Sequence, residues 1–261
     1  MVIVITGILG VMVAVFIRAP VEGYVDSVRR AEMTDAADAV LRRVARDVRT
    51  ALPNSLRTTS PASSSCFEFL PTVGGGRYRT AQSNVPSGNI LDFSIADSSF
   101  DVLAGSNLPP TPGYGAAIYH AVIYNLGIPG ADAYNLADKN RAQIAGASTG
   151  ASITLTAANQ FALASPGKRF HVIPDYSVTY SCSGGNLMRS TRAISATQLA
   201  ACPAAGTVLV SNVDCANSRF DYTQAVSAAF TRNGLLAMTL VLTQSGESVQ
   251  LYQEVHVNNV P

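Results

Sequence analysis

The sequence is poor in charge and contains no tryptophan. Only 13% of its 261 residues are Asp, Glu, Lys or Arg, and the formal net charge is +1. A protein that binds nucleic acid through bulk electrostatics carries a marked excess of positive charge, so nucleic acid is not expected as a partner. The 48% hydrophobic content instead allows a chain of this length to bury one sizeable core.

The sequence also lacks closely spaced cysteine pairs, such as the CxxC pairs that hold the metal in a zinc ribbon. An even number of cysteines in a chain that faces an oxidising space predicts disulfides. We therefore expect at least one bridge, although the sequence does not choose among the possible pairings. The candidate disulfide cysteines are Cys66, Cys182, Cys202 and Cys215.

No charged residue occurs in the segment Met1–Ile17. As a helix with a rise of about 1.5 Å per residue it would be about 26 Å long, slightly shorter than a hydrocarbon core of about 30 Å. The helical pattern continues past Ile17, and no small-residue cleavage site follows it, which favours a retained anchor over a cleaved secretory signal. We predict a single-pass membrane helix that anchors the globular domain. The positive charges follow this segment, so the positive-inside rule agrees only if a basic leader precedes Met1. The side chains predicted to contact lipid or a filament core are Val2, Ile3, Val4, Ile5, Ile8, Leu9, Val11, Val13, Val15 and Phe16.

The next segment, from Arg18 to Leu52, is charged but keeps an apolar periodicity. Its valines recur at three- and four-residue spacings, which is typical of an amphipathic helix. We expect Val40, Val44 and Val48 to pack this helix against a sheet. Pro53 ends the helix because proline lacks the amide donor and disfavours helical geometry in the preceding residue.

Beyond Pro53 the pattern changes to short apolar runs separated by Pro, Gly and Ser, which indicates a turn-rich β domain. The segments Ser183–Asn186 and Gln244–Glu247 predict tight hairpin turns. The predicted strands are Phe67–Leu70, Ile90–Ile95, Ala117–Tyr124, Ser152–Thr156, Arg169–Ile173, Ser177–Ser181, Asn186–Arg189, Thr207–Ser211, Leu235–Thr243 and Ser248–Val257.

An apolar helix that continues into an amphipathic helix and then a β-rich domain resembles the type IV pilin and type II secretion pseudopilin superfamily. The segments Tyr24–Asp35, Arg42–Arg49 and Glu254–Pro261 resemble a narrower group, the O-type (MshO) minor pilin-like biogenesis proteins of the mannose-sensitive haemagglutinin (MSHA) pilus. The resemblance covers the helix and the last strand, whereas residues 71–206 match only in general layout. The prepilin cleavage motif and the glutamate typical of that superfamily are absent.

This resemblance implies an α+β, pilin-like fold in which a long N-terminal helix packs on an antiparallel β-sheet domain. The implied organisation is a membrane or filament-core helix half at 1–17, an amphipathic half at 18–52 and a periplasmic β-rich domain at 53–261. The implied location is the bacterial inner membrane, crossed once, with the globular domain in the periplasm. The implied function is that of a minor structural subunit that initiates or caps an MSHA-type type IV pilus, without enzymatic activity or a cofactor. Implied partners are other minor pilins, the major pilin, the inner-membrane platform of the pilus machine, and the lipid bilayer before assembly.

Two alternatives remain open. A J-type minor pseudopilin of type II secretion shares the same plan, and a membrane-anchored periplasmic enzyme or binding domain would need a compact polar site. The sequence Gly146–Gly150 matches the G-x-S-x-G pattern of a nucleophile elbow, but that motif requires a strand before it and a helix after it, and a strand is expected to follow. His120, His171 and His256 are scattered singly, which is typical of ordinary strand residues rather than metal ligands.

Overall fold

The computed structural model describes residues 2–58, 66–81, 88–103, 106–108, 118–224 and 233–261, and within the helix it leaves out the side chains of residues 13–15 and 17–20. One α-helix, α1 (Val2–Val48), precedes the strands, and a 3₁₀ turn at Leu136–Asp138 lies between the fifth and sixth of them. The strands are β1 (Arg57–Thr58), β2 (Cys66–Phe69), β3 (Gly74–Arg77), β4 (Asp97–Asp101), β5 (Tyr119–Val122), β6 (Arg141–Gln143), β7 (Ser152–Asn159), β8 (Arg169–Pro174), β9 (Tyr176–Ser183), β10 (Asn186–Ala193), β11 (Thr207–Ser211), β12 (Arg219–Gln224), β13 (Asn233–Gln244) and β14 (Glu247–Asn258).

The helix is amphipathic only in its second half. From Met33 onward, buried apolar side chains recur at helical spacing through Ala37, Leu41 and Val48. Arg46 lies in the last turn, where a cation complements the negative end of the helix dipole. Pro53 follows closely and cannot continue the helix.

The strands form four antiparallel sheets. A five-stranded sheet has the order β1-β2-β9-β10-β11, and a three-stranded sheet has the order β12-β13-β14. A four-stranded sheet, β3-β8-β5-β6, and a two-stranded sheet, β4-β7, are built from the middle of the chain. Strands β8 and β9 are separated only by Asp175, so the chain passes there directly from the four-stranded into the five-stranded sheet.

The predicted α+β, pilin-like fold with one sheet domain behind a long helix is wrong. The described chain is mainly β, with fourteen strands distributed over four sheets. The physical reason is that the middle of the chain forms a core of its own. Phe100, Phe170 and Val172 pack there in a cluster that includes no residue of α1, so a large part of the β structure does not depend on the helix.

The predicted single-pass inner-membrane anchor is also corrected. Within the part of the chain that the structure describes, no helix combines the length and the apolarity that crossing a membrane requires. The apolar stretch that motivated the prediction ends at Ile17 and is followed by Arg18.

The second half of α1 packs on a different core. This cluster joins Val44 and Val48 to apolar side chains of the five- and three-stranded sheets, including Phe67, Tyr180 and Leu240. A small third cluster, with Leu52, Leu70 and Ile173 among its members, lies just after the end of the helix. The fold therefore fixes one half of the helix firmly and leaves the other half outside the core.

The prediction of disulfides is confirmed, and all four cysteines are paired. Cys66 of β2 bonds Cys202 in the loop after β10, with their Cα atoms 5.6 Å apart. Cys182 of β9 bonds Cys215 in the segment before β12, at a Cα distance of 5.5 Å. Both bridges tie long connections to the five-stranded sheet that supports the helix.

Candidate interaction surface

The first part of α1 is here called the exposed apolar segment (Val2–Phe16), and nine of its described side chains are large, apolar and exposed. Ile3 and Phe16 are the most exposed of them, with relative solvent-accessible surfaces of 86% and 85%. The other exposed large apolar residues of this segment are Val2, Val4, Ile5, Ile8, Leu9, Val11 and Met12. Val13 and Val15, also predicted for this surface, lie outside the side chains that the structure describes.

Polar groups within the exposed apolar segment are satisfied by the helix itself. The Thr6 hydroxyl donates to the backbone carbonyls of Val2, at 2.8 Å, and of Ile3, at 3.1 Å. Gly7 and Gly10 have no neighbouring atom within 4 Å of the position that a Cβ would take. The segment thus presents apolar surface and two flat glycine positions, and no described part of the chain covers them.

Exposure decreases along the helix towards the sheets. Val25 and Val28 are still 44% and 38% exposed, whereas Met33 is only 3% exposed. Residues 2–32 of α1 span about 45 Å along the helix, at a rise of about 1.5 Å per residue. The valines of the amphipathic half therefore lie in two environments: Val25 and Val28 are exposed, whereas Val40, Val44 and Val48 are buried.

Val40, Val44 and Val48 lie at the junction between α1 and the sheets. They are 8%, 0% and 0% exposed and belong to the same cluster as Leu240 and Val255 of strands β13 and β14. The three side chains lie one helical turn apart, so they form a continuous row along the buried helix face. This row fixes the direction in which the rest of the helix leaves the β structure.

Asp47 adds a polar attachment at the end of the helix. The Tyr180 hydroxyl donates to Asp47 Oδ2 at 2.6 Å, and Arg189 Nε donates to the same oxygen at 3.1 Å. Burial raises the pKa of Tyr180, and the neighbouring Asp47 carboxylate raises it further, so the phenol keeps the proton that it donates. Among the ion pairs of the described residues, Asp47 is therefore paired with Arg189 of β10 and not with Arg43, one turn earlier in the helix.

A second polar contact holds the helix where its exposed part begins. Arg30 Nε donates to the carboxylate of Glu247, at the start of β14. Arg29 and Asp26 form an ion pair at 2.9 Å within the helix. Exposed pairs of this kind contribute little stability, but the link between Arg30 and Glu247 joins the helix to a turn of the three-stranded sheet.

The enzymatic motif is not assembled. Ser148, at the centre of Gly146–Gly150, is 3% exposed and lies in the turn between β6 and β7. Its hydroxyl donates to the Thr154 carbonyl at 3.0 Å and accepts from the Thr154 amide at 2.9 Å. Both partners are backbone groups, so the serine closes a turn, and no described side chain forms a hydrogen bond with its hydroxyl.

The three histidines occupy separate places. His120 Nε2 lies 2.9 Å from an oxygen of Asp175, His171 lies on β8, and His256 is exposed on β14. In the described ranges, no group of three or more His, Cys, Asp or Glu side chains could hold a metal ion. The acids around the 3₁₀ turn serve the backbone, since Asp138 accepts from the amides of Gly130 and Asp132.

Sequence reasoning missed one buried ionic group. Glu68 is 1% exposed and is bonded by Arg57, Arg192 and the Ser177 hydroxyl. The sequence does contain a signal for this group. Glu68 lies between Phe67 and Phe69 in a predicted strand, and burying a carboxylate there is costly unless it is paired with a positive charge. The partners themselves come from elements distant in sequence.

Comparisons with known proteins give no relative. No protein-family model matches the chain, and no curated protein or solved structure matches it. The candidate site is therefore defined by the chain's own geometry, and the exposed apolar segment is its most distinctive surface.

Proposed function

We propose that this chain is a structural, non-enzymatic subunit of a pilus-type filament, in which the exposed apolar segment packs among apolar helices of other subunits. One observation carries the proposal: an exposed apolar helix segment is continuous with a helix half that is locked to the β structure. Because one half of the helix is packed on the sheets, a partner that buries the apolar half would be held in a fixed position relative to the β domain.

The energetic reason is the cost of leaving this surface in water. Full burial of one Val, Leu, Ile or Phe side chain contributes about 1.5–3 kcal/mol, and nine exposed apolar side chains of the segment are described. Contiguous exposed apolar surface of this kind marks an interaction site. Gly7 and Gly10 support a helical partner, because their missing side chains let a second helix approach closely, whereas nothing in the described chain uses that space.

The specific form of the proposal is a minor subunit that initiates or caps an MSHA-type type IV pilus. Its partners would be other minor pilins, the major pilin and the platform of the pilus machine. The resemblance of Tyr24–Asp35 and Glu254–Pro261 to the minor pilin-like proteins of that pilus supports this form. A J-type minor subunit of a type II secretion pseudopilus is the alternative filament with the same use of the helix.

Val11→Arg tests the filament role. Val11 is 65% exposed, so an arginine there has ample water in the free chain and should leave the thermal unfolding temperature unchanged. In a filament core the same charge would be desolvated at a cost of several kcal/mol. We expect the yield of filaments sheared from the surface of a producing bacterium to fall about tenfold or more, because about 1.4 kcal/mol already corresponds to a factor of ten.

Ala39→Arg is the matched control, since it adds the same charge at an exposed position of the same helix outside the exposed apolar segment. It should leave the filament yield unchanged. A photo-crosslinking residue at position 11 should join the chain to another filament subunit, and mass spectrometry of that product distinguishes a pilus from a pseudopilus. Undiminished filament yield from Val11→Arg would contradict the proposal.

A further inference from the structure

A cleft of about 510 Å³ lies where the end of α1 meets the four-stranded sheet. It is lined by Arg49 and Thr50 just after the helix, by strand β3 and by the first residues of β8. Three of its lining side chains are arginines, namely Arg49, Arg77 and Arg169, and none is an aspartate or glutamate. The cleft is therefore strongly positive although the whole chain is almost neutral.

None of these three arginines has an acidic partner in the described part of the chain, which is also true of Arg43, Arg46, Arg141 and Arg219. The ion pairs of the described residues involve Arg29, Arg30, Arg42, Arg57, Arg79, Arg189 and Arg192. Every aspartate and glutamate of the sequence falls within the described ranges. The nearest acid along the chain to Arg49 is Asp47, whose carboxylate is already bonded by Tyr180 and Arg189.

Two of the arginines are held in an unfavourable arrangement. Arg77 and Arg169 are directly opposite each other in the antiparallel pairing of β3 with β8. Like charges that face each other across two strands destabilise the pair. An anion placed between them would convert this repulsion into two attractive contacts.

His171 also lines the cleft, and its pKa is affected by the nearby positive charge. Its Nε2 is buried and has no hydrogen-bond partner in the described part of the chain. Burial, together with the positive charge of Arg169, lowers the pKa of His171 to about 4. The imidazole is therefore neutral at pH 7, and its titration is a sensitive probe of any negative charge that enters.

We propose that this cleft binds a tetrahedral oxyanion group, phosphate or sulfate, carried by a small molecule. Guanidinium groups match such oxygens with pairs of parallel hydrogen bonds. Asn107 adds an exposed side-chain amide to the same wall. The site is separate from the exposed apolar segment, so it does not depend on the filament role.

The site is not a phosphate-binding loop, although it contains Gly74–Gly76. The Gly75 amide already donates to the Asn107 carbonyl at 2.6 Å, and β3 pairs with β8 along its length. The glycine is needed for packing, because a Cβ at Gly75 would lie 2.7 Å from the Phe170 carbonyl oxygen. Side chains rather than backbone amides would hold the anion.

The test is a titration of the full chain with sodium phosphate, and separately with sodium sulfate, at pH 7 and constant ionic strength. NMR signals of the His171 imidazole, assigned by their loss in His171→Gln, follow binding. We expect saturable shifts and a rise in the His171 pKa when the anion is bound. Tighter binding of phosphate would indicate a phosphate ester as the natural ligand, and tighter binding of sulfate would indicate a sulfate ester. Equal binding of the two anions would show that the cleft accepts both kinds of ester.

The decisive variant is Arg77→Gln combined with Arg169→Gln, which should weaken binding about tenfold or more, equivalent to at least about 1.4 kcal/mol. Both side chains are exposed and repel each other, so the double variant should fold and its unfolding temperature should not fall. Arg49→Gln, outside both strands, should weaken binding less than the double variant does. It provides the test of the proposal if the double variant does not fold. Arg43→Gln, an exposed arginine of α1 outside the cleft, should bind as the unaltered chain does. Non-saturating shifts, or equal binding by the double variant, would overturn the proposal.

Discussion

Replacing Val44 with aspartate should destabilise the protein more than any other single change considered for the helix. Val44 is fully buried in the cluster that joins α1 to the five- and three-stranded sheets. An ionised carboxylate there would have no partner, and the lost apolar contacts add to the cost. We expect the free energy of unfolding to fall by about 4 kcal/mol or more, measured by urea denaturation of the full chain.

The matched control for Val44→Asp is Ala39→Asp. Ala39 lies on the exposed face of the same helix, so the new carboxylate stays in water. Its effect should be within about 0.5 kcal/mol, as is usual for surface substitutions. Similar stabilities for the two variants would show that α1 is not packed on the sheets through the row that contains Val44.

Neutralising Glu68 is the second change with a large expected effect. One carboxylate oxygen accepts from Ser177 Oγ at 2.5 Å and from Arg192 Nε at 2.7 Å. The other accepts from Arg57 Nε at 3.0 Å and from a terminal nitrogen of Arg192 at 3.0 Å. Glu68→Gln keeps the shape but leaves two partly buried arginines without their counter-charge. Removing one partner of such a group costs about 3–5 kcal/mol.

The effect of Glu68 should depend on pH in a defined direction. Burial alone would raise the pKa of Glu68, but hydrogen bonds from Arg192 and Ser177 and the charges of Arg57 and Arg192 outweigh it, so the pKa lies below the ordinary value of 4.5. Since the pKa is lower in the folded state, the stabilisation is fully present above pH 4.5 and is lost as the pH falls through the folded pKa.

Denaturation at pH 7 and at pH 3 checks this expectation. The difference in stability between the unaltered chain and Glu68→Gln should be largest at pH 7 and smaller at pH 3. Glu32→Gln, an exposed acid on α1, should show a small difference at both values. A Glu68→Gln difference that does not change with pH would mean that Glu68 is not ionised in the folded protein.

Strands with alternating side chains were predictable. The hairpin of β13 and β14 was expected from its alternation, and its turn at Ser245–Gly246 has positive φ angles of 51° and 85°. The turn between β9 and β10 likewise uses Gly184 and Gly185, at φ of 57° and 75°. Such signals are local, because each hairpin occupies one continuous stretch of sequence, residues 176–193 for β9 and β10 and residues 233–258 for β13 and β14.

Other elements were missed because their pairing depends on distant residues. β3 consists of Gly74–Arg77 and has no strand propensity of its own, yet it pairs with β8. Conversely, Ile90–Ile95 was predicted as a strand and is not one. The Asp92 carboxylate there accepts from the Ser94 amide at 2.7 Å and from the Ser94 hydroxyl at 2.6 Å, which closes a local turn instead. Ala117, in another predicted strand, lies outside the described residues.

The sequence by itself determined the helix, its change from apolar to amphipathic character, the strand hairpins and the presence of disulfides. These follow from composition and from periodicity between near neighbours. Tertiary structure alone decided which cysteines pair, since Cys66 and Cys202 are 136 residues apart. It also decided that the strands form four sheets, that Glu68 meets Arg57 and Arg192, and that three arginines without acidic partners line one cleft. Each of these depends on chain segments brought together by packing, and packing leaves no periodic trace in the sequence.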